Sequence, residues 1–85
     1  MSKKEKMVKR ILSKPKDYTI NELDSLMHLC NCLKNNRGGS SGSAIKYIGK
    51  GKHELRIHRP HPSNIVPRYV IEAAISFLQE EGEIK

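Results

Sequence analysis

The stretch "HRPHPSNIVP", residues 58–67, constrains the fold more than any other part of the sequence. Pro60 and Pro62 exclude helix and withdraw two donors from any ladder, so the segment must be extended and cannot be a central strand. Pro67 suits the first position of a helix, where a missing N–H costs nothing. Elements upstream must therefore end at this stretch, and a new helix must start at its far end.

The final helix has a broad apolar face. Val70, Ile71, Ala74, Ile75, Phe77 and Leu78 recur at helical spacing, and the pattern ends near Gly82. On the other side, Ser43 to Ile48 and Glu54 to His58 read as strands joined by "GKGK", a hairpin with glycine at the turn. Leu55 and Ile57 alternate with Glu54, Arg56 and His58, which gives one buried face and one wet face. Upstream, Met7, Val8, Ile11 and Leu12 mark a helix over Lys3 to Ser13, stopped by Pro15. Thr19 and Glu22 form a capping box, so a second helix begins about Ile20, with Leu23, Leu26, Met27 and Cys30 facing the core. Asn31 suits a left-handed position at its end. Cys32 to Asn35 reads as a short edge strand, and "NNRGGSSG" as a loop. The order predicts a single α+β domain over residues 1–85. Two or three antiparallel strands have helices packed on one face, and the other face is left for a partner.

With 85 residues the chain has room for one core and no deep enclosed pocket. The formal net charge is +7, unevenly spread. The first 16 residues carry Glu5 as their lone acid, and so do residues 34–68 in Glu54, whereas the segment after Glu72 is acidic. A field of that sign favours a polyanion, of which nucleic acid is the commonest. Cys30 and Cys32 are too close for an ordinary bridge and lack zinc or redox spacing, so they read as reduced thiols of a cytoplasmic protein. No apolar run reaches the roughly 20 residues a membrane span requires.

Catalytic motifs of several classes are absent. "GGSSGSA" is not followed by Gly-Lys-Ser/Thr, so there is no phosphate-binding P-loop, and no H-E-x-x-H occurs. His53, His58 and His61 lack a thiol or carboxylate at ligand spacing, and neither metal nor cofactor is expected. The second helix offers Asn21, Asp24 and Ser25, and its acids Glu22 and Asp24 would repel a DNA backbone. His58 and His61 flank Arg59 on a proline-stiffened segment. An imidazole with an unperturbed pKa of about 6.5 can exchange a proton with an RNA hydroxyl near neutral pH. A neighbouring guanidinium can hold the phosphate and stabilise developing charge. Together these are a minimal kit for metal-independent RNA cleavage through the 2′-hydroxyl. Histidines in a surface loop also read as solvated polar residues, and spacing alone favours that reading.

The capped helix "TINELDSLMHL", the loop and strand "GGSSGSAIKY", the extended "LRIHRPHPSN" and the closing "VPRYVIEAAISFLQEEGEI" occur in one order. In that order they resemble the HicA family of toxins, mRNA interferases paired with HicB antitoxins. The resemblance spans roughly Lys6 to Ile84. It implies a fold similar to the double-stranded RNA-binding domain, α-β-β-β-α, here with an extra N-terminal helix. It also implies an RNA substrate and a HicB-like partner with an acidic surface. The family places Gly-Ser-His at the start of a strand. Gly42 and Ser43 match the Gly-Ser, and Ala44 occupies the position of the catalytic histidine.

Ala44 admits three readings. The chain belongs to a branch whose catalytic histidines are His61, helped by His58; or it is an inactive form; or it retains the fold to bind RNA or a partner without cleavage. In the first reading Lys46, Lys50, Lys52, Arg56 and Arg59 attract the phosphates, and Gly42 and Ser43 allow close backbone approach to the RNA.

Overall fold

The computed structural model describes residues 2–35, 44–58 and 63–84. Three helices and three strands occur in the order α1 (Lys3–Leu12), α2 (Ile20–Leu29), β1 (Leu33–Asn35), β2 (Ala44–Ile48), β3 (Glu54–His58) and α3 (Arg68–Glu80). The fold is α+β, and after α1 the order is the expected α-β-β-β-α.

The strands form one antiparallel sheet, β1-β2-β3. Leu33 pairs with Ile48 and Asn35 with Lys46, while β2 and β3 pair from Ala44↔His58 to Ile48↔Glu54. Because strand side chains alternate, this register sorts them by face. Ile45, Tyr47, Leu55 and Ile57 are buried against the helices, and Lys46, Arg56 and His58 share the opposite face. The helical half of the core comprises Ile11 of α1, Ile20, Leu23, Leu26 and Met27 of α2 and the six apolar residues of α3 from Val70 to Leu78.

Each helix ends as its local sequence dictates. The Thr19 hydroxyl accepts the Glu22 N–H and the Glu22 carboxylate accepts the Thr19 N–H, both at 3.2 Å, completing the capping box. Asn31 takes φ 60°, and the N–H groups of Asn31 and Cys32 close back onto His28 O and Met27 O. Gly82 does the same for α3 at φ 77°, with Gly82 N–H to Gln79 O and Glu83 N–H to Leu78 O. Both are Schellman endings, satisfying carbonyls that the helix leaves orphaned. Cys32 serves this closure, which is why β1 begins one residue later than its β-type run. Pro67 is the N-cap of α3, with extended ψ of 154°, rather than its first helical residue. Leu12 stays 45% exposed at the margin of the α1 stripe, whereas Ile11 is fully buried.

One pairing has no signature in the sequence. Beyond the proline-rich segment the chain returns to the entrance of α2: Thr19 and Ile65 form an isolated antiparallel bridge. Ile20 N–H donates to Asn64 O at 2.8 Å and Val66 N–H to Tyr18 O at 2.7 Å. Arg10 joins α1 to the same place. Its guanidinium pairs with Glu22 and lies 5.7 Å from the centre of the Tyr18 ring.

Candidate nucleic-acid interface

The outer face of the sheet is built in rows set by the register. Leu33, Ile48 and Glu54 make the first row and Lys46 and Arg56 the second, with His58 beyond them. Lys46 and Arg56 are directly opposed, which leaves two like charges adjacent on one surface. Glu54, one row away, relieves this: its carboxylate lies 3.1 Å from Lys46 Nζ and 3.7 Å from Arg56 Nη2. Arg56 keeps 77% of its side chain exposed, so its pair is screened by solvent and its guanidinium is available to a phosphate.

The two ends of the β2–β3 hairpin differ in what holds them. At the turn, Gly49 N–H donates to His53 O and Lys52 N–H to Gly49 O. The left-handed residue is Lys52, φ 67°, rather than either glycine. The glycines serve another need. The Glu81 carboxylate, just past the end of α3, enters the turn and accepts Gly51 N–H at 2.7 Å and His53 N–H at 3.2 Å. It also meets His53 Nδ1, while Glu80 lies 3.9 Å from His53 Nε2. Any Cβ on Gly49 would collide with the Glu81 side chain, and one on Gly51 would lie 3.0 Å from its Oε2. The Glu81 side chain is 1% exposed, and the Gly51 N–H, followed by His53, holds its carboxyl below the ordinary value of 4.5. His53 is therefore a structural residue. Lys50 and Lys52 are displayed from a clamped turn, exposed to solvent.

At the other end His58 is exposed and has no hydrogen-bond or ion-pair partner among the described residues. Its register partner is Ala44. Ala44 and His58 end adjacent strands, one strand spacing of about 4.8 Å apart. Gly42, Ser43, Arg59 and His61 lie outside the described residues, and so does the loop at 36–43. Five-residue strands separate the two ends of the hairpin by about 14 Å at ~3.4 Å per residue. Lys50 and Lys52 thus occupy the end remote from His58, and Lys46 and Arg56 the middle.

Another polar cluster ties α2 to the sheet. Tyr47 O–H donates to Asp24 Oδ1 at 3.0 Å, and the same carboxylate oxygen lies 3.1 Å from Lys34 Nζ. Asp24 is thereby committed to the α2–sheet contact. Cys30 and Cys32 are free and buried, and burial raises both thiols, Cys32 to about 11. They are protonated and unreactive near neutral pH. Among the described residues no helix is long and apolar enough to cross a membrane.

Glu54, Arg56 and His58 were legible in the sequence as one wet face, and Lys46 as one of the residues that attract phosphate. The Glu81 clamp, the Tyr47–Asp24–Lys34 chain and the Thr19–Ile65 bridge were not legible there. Two glycines flanking a lysine were a signal of close approach by something, but not of what approaches. No protein-family model, curated protein or solved structure matches the chain.

Proposed function

We propose that the chain is a HicA-like toxin: an RNA-binding, metal-independent mRNA endoribonuclease of the cytoplasm, neutralised by a HicB-type antitoxin. The supporting observation is the register. Ala44, at the family's histidine position, lies directly across from His58, so an imidazole from β3 can serve the place that the neighbouring strand leaves empty. Lys46 and Arg56 lie on the same face, within one row, to hold the phosphodiester.

The chemistry needs one base and one acid. A neutral imidazole takes the proton of the 2′-hydroxyl, and the 2′-oxygen attacks phosphorus. The bond to the 5′-oxygen breaks, and a protonated imidazole gives its proton to that leaving oxygen. The products are a 2′,3′-cyclic phosphate and a 5′-hydroxyl. His61 and His58 fill the two roles, with Arg59 and Arg56 stabilising the charge that develops on the phosphoryl oxygens. The Gly42–Ser43 backbone lets the strand approach, and Lys50 and Lys52 contact phosphates further along. The antitoxin covers this basic face with an acidic surface.

Ala44 itself favours a second reading, a module of the same fold that binds RNA or a partner without cutting. Incubation of the purified protein with RNA in EDTA separates the two. Cleavage to cyclic-phosphate ends supports the interferase, and binding without cleavage supports the module. His61→Ala is expected to abolish growth inhibition and cleavage with the fold intact, and full toxicity of that variant would sink the assignment.

A further inference from the structure

A second surface carries unassigned chemistry. Between the α1–α2 turn and the start of α3 lies a groove lined by Lys14, Pro15, Lys16, Ile65, Pro67 and Arg68. Part of its lining is apolar, comprising Ile65, which is 38% exposed, Val66 and the two prolines. Its rims are cationic. Lys14 and Arg68 share Glu72 at 3.3 and 3.4 Å, and Lys16 has no ion-pair partner among the described residues, so the rim keeps a net positive charge. Tyr69, directly after Arg68, is 69% exposed.

Both walls are fixed. The Tyr18–Ile20 and Asn64–Val66 backbones are hydrogen bonded to each other, which pins the segment behind Lys16 beside the segment in front of Pro67. A groove held in this way loses little entropy on binding. Ile65, in its lining, is seven residues after His58, so the chain can separate them by no more than about 25 Å at ~3.6 Å per residue. A strand held at His58 therefore has a second cationic surface within a few nucleotides.

We infer that this groove is a second contact for the single-stranded RNA substrate, outside the reacting centre. Lys16 and Arg68 neutralise phosphates of the flanking strand, and the exposed Tyr69 ring offers a stacking face to a base. The inference rests on the RNA-binding reading above and names a further part of the same substrate's path. The groove positions the strand and takes no part in proton transfer.

The test compares Lys16→Ala/Arg68→Ala with the wild type and with Lys46→Ala/Arg56→Ala, by RNA affinity at several salt concentrations. All four residues are exposed or half-buried, and circular dichroism checks the fold. For single strands the salt slope is about 0.7 per phosphate neutralised, so losing two contacts lowers it by about 1.4. Between 50 and 200 mM salt the wild type then loses about sevenfold more affinity than the groove variant. Tyr69→Ala weakens long oligonucleotides and spares a dinucleotide substrate, and kcat on the dinucleotide is unchanged in the groove variant.

Wild-type affinity and slope in the groove variant would overturn the inference while leaving the sheet-face reading intact, provided that the Lys46/Arg56 variant is impaired. Loss of binding to an acidic amphipathic peptide alone, with RNA binding retained, would also overturn it and make the groove a protein-docking site. If the wild type binds no RNA, both the groove and the proposed function fall.

Discussion

The two ends of the β2–β3 hairpin carry one histidine each, and they are treated in opposite ways. His53, at the turn, is held by Glu81 with Glu80 close by, and its backbone N–H is taken as well. His58, at the other end, is exposed, partnerless among the described residues, and set across from Ala44. A side chain whose hydrogen bonds are spent on the fold has little left for a substrate. The contrast separates a histidine that shapes the domain from one left open to solvent.

Substitution at each end should divide along that line. His61→Ala and His58→Ala are expected to lower RNA cleavage by about 10²–10⁴-fold, the range for losing a general acid or base, with melting temperature unchanged. His53→Ala should retain kcat and melt at a lower temperature. Comparable loss of cleavage in His53→Ala would erase the distinction.

Next in size is the clamp. Glu81→Gln keeps the shape of the side chain but loses the charge-assisted bonds to Gly51 and to His53. It should lower the melting temperature and speed amide exchange at Gly51 and His53, leaving exchange in α2 unaltered. Unchanged exchange at those two amides would show that the turn holds without Glu81.

Acid should weaken the same places. Arg10 chiefly lowers the Glu22 carboxyl, Lys14 chiefly lowers Glu72, and the Gly51 N–H chiefly lowers Glu81, each from 4.5. Each group binds its proton less readily when folded, so its contribution is complete above the ordinary carboxylate value and is lost as pH falls through and below it. Thermal denaturation from pH 7 to pH 3 should show a plateau that turns down below about pH 5. The smallest effect concerns Lys52, which adopts φ 67° without being glycine. Lys52→Gly should relieve about 1 kcal/mol of left-handed strain, partly offset by the greater freedom of the unfolded chain. Chemical denaturation measures it.

Much of the architecture was legible because local signals agreed with one another. Thr19 and Glu22 fixed the start of α2, Asn31 its end, and the alternation of Leu55 and Ile57 the faces of β3. The contacts that position the site joined residues distant in sequence. Glu81 reaches a turn 30 residues earlier, and Thr19 pairs with Ile65; neither leaves a periodic trace in the chain. The hairpin with glycine at its turn was legible, but what Gly49 and Gly51 do there was not: they leave space for the Glu81 carboxylate. His58 was legible as a member of a wet face, but its apposition to Ala44 needed the register, which the loop between the strands does not encode.

The most direct measurement tracks cleavage of a labelled RNA in EDTA by the wild type, His58→Ala, His61→Ala and His53→Ala, each confirmed folded. Cleavage to 2′,3′-cyclic phosphate ends by the wild type and His53→Ala, and its loss in the other two, is the expected result. No cleavage by the wild type, or full cleavage by both His58→Ala and His61→Ala, would contradict the assignment of the open hairpin end as the reacting centre.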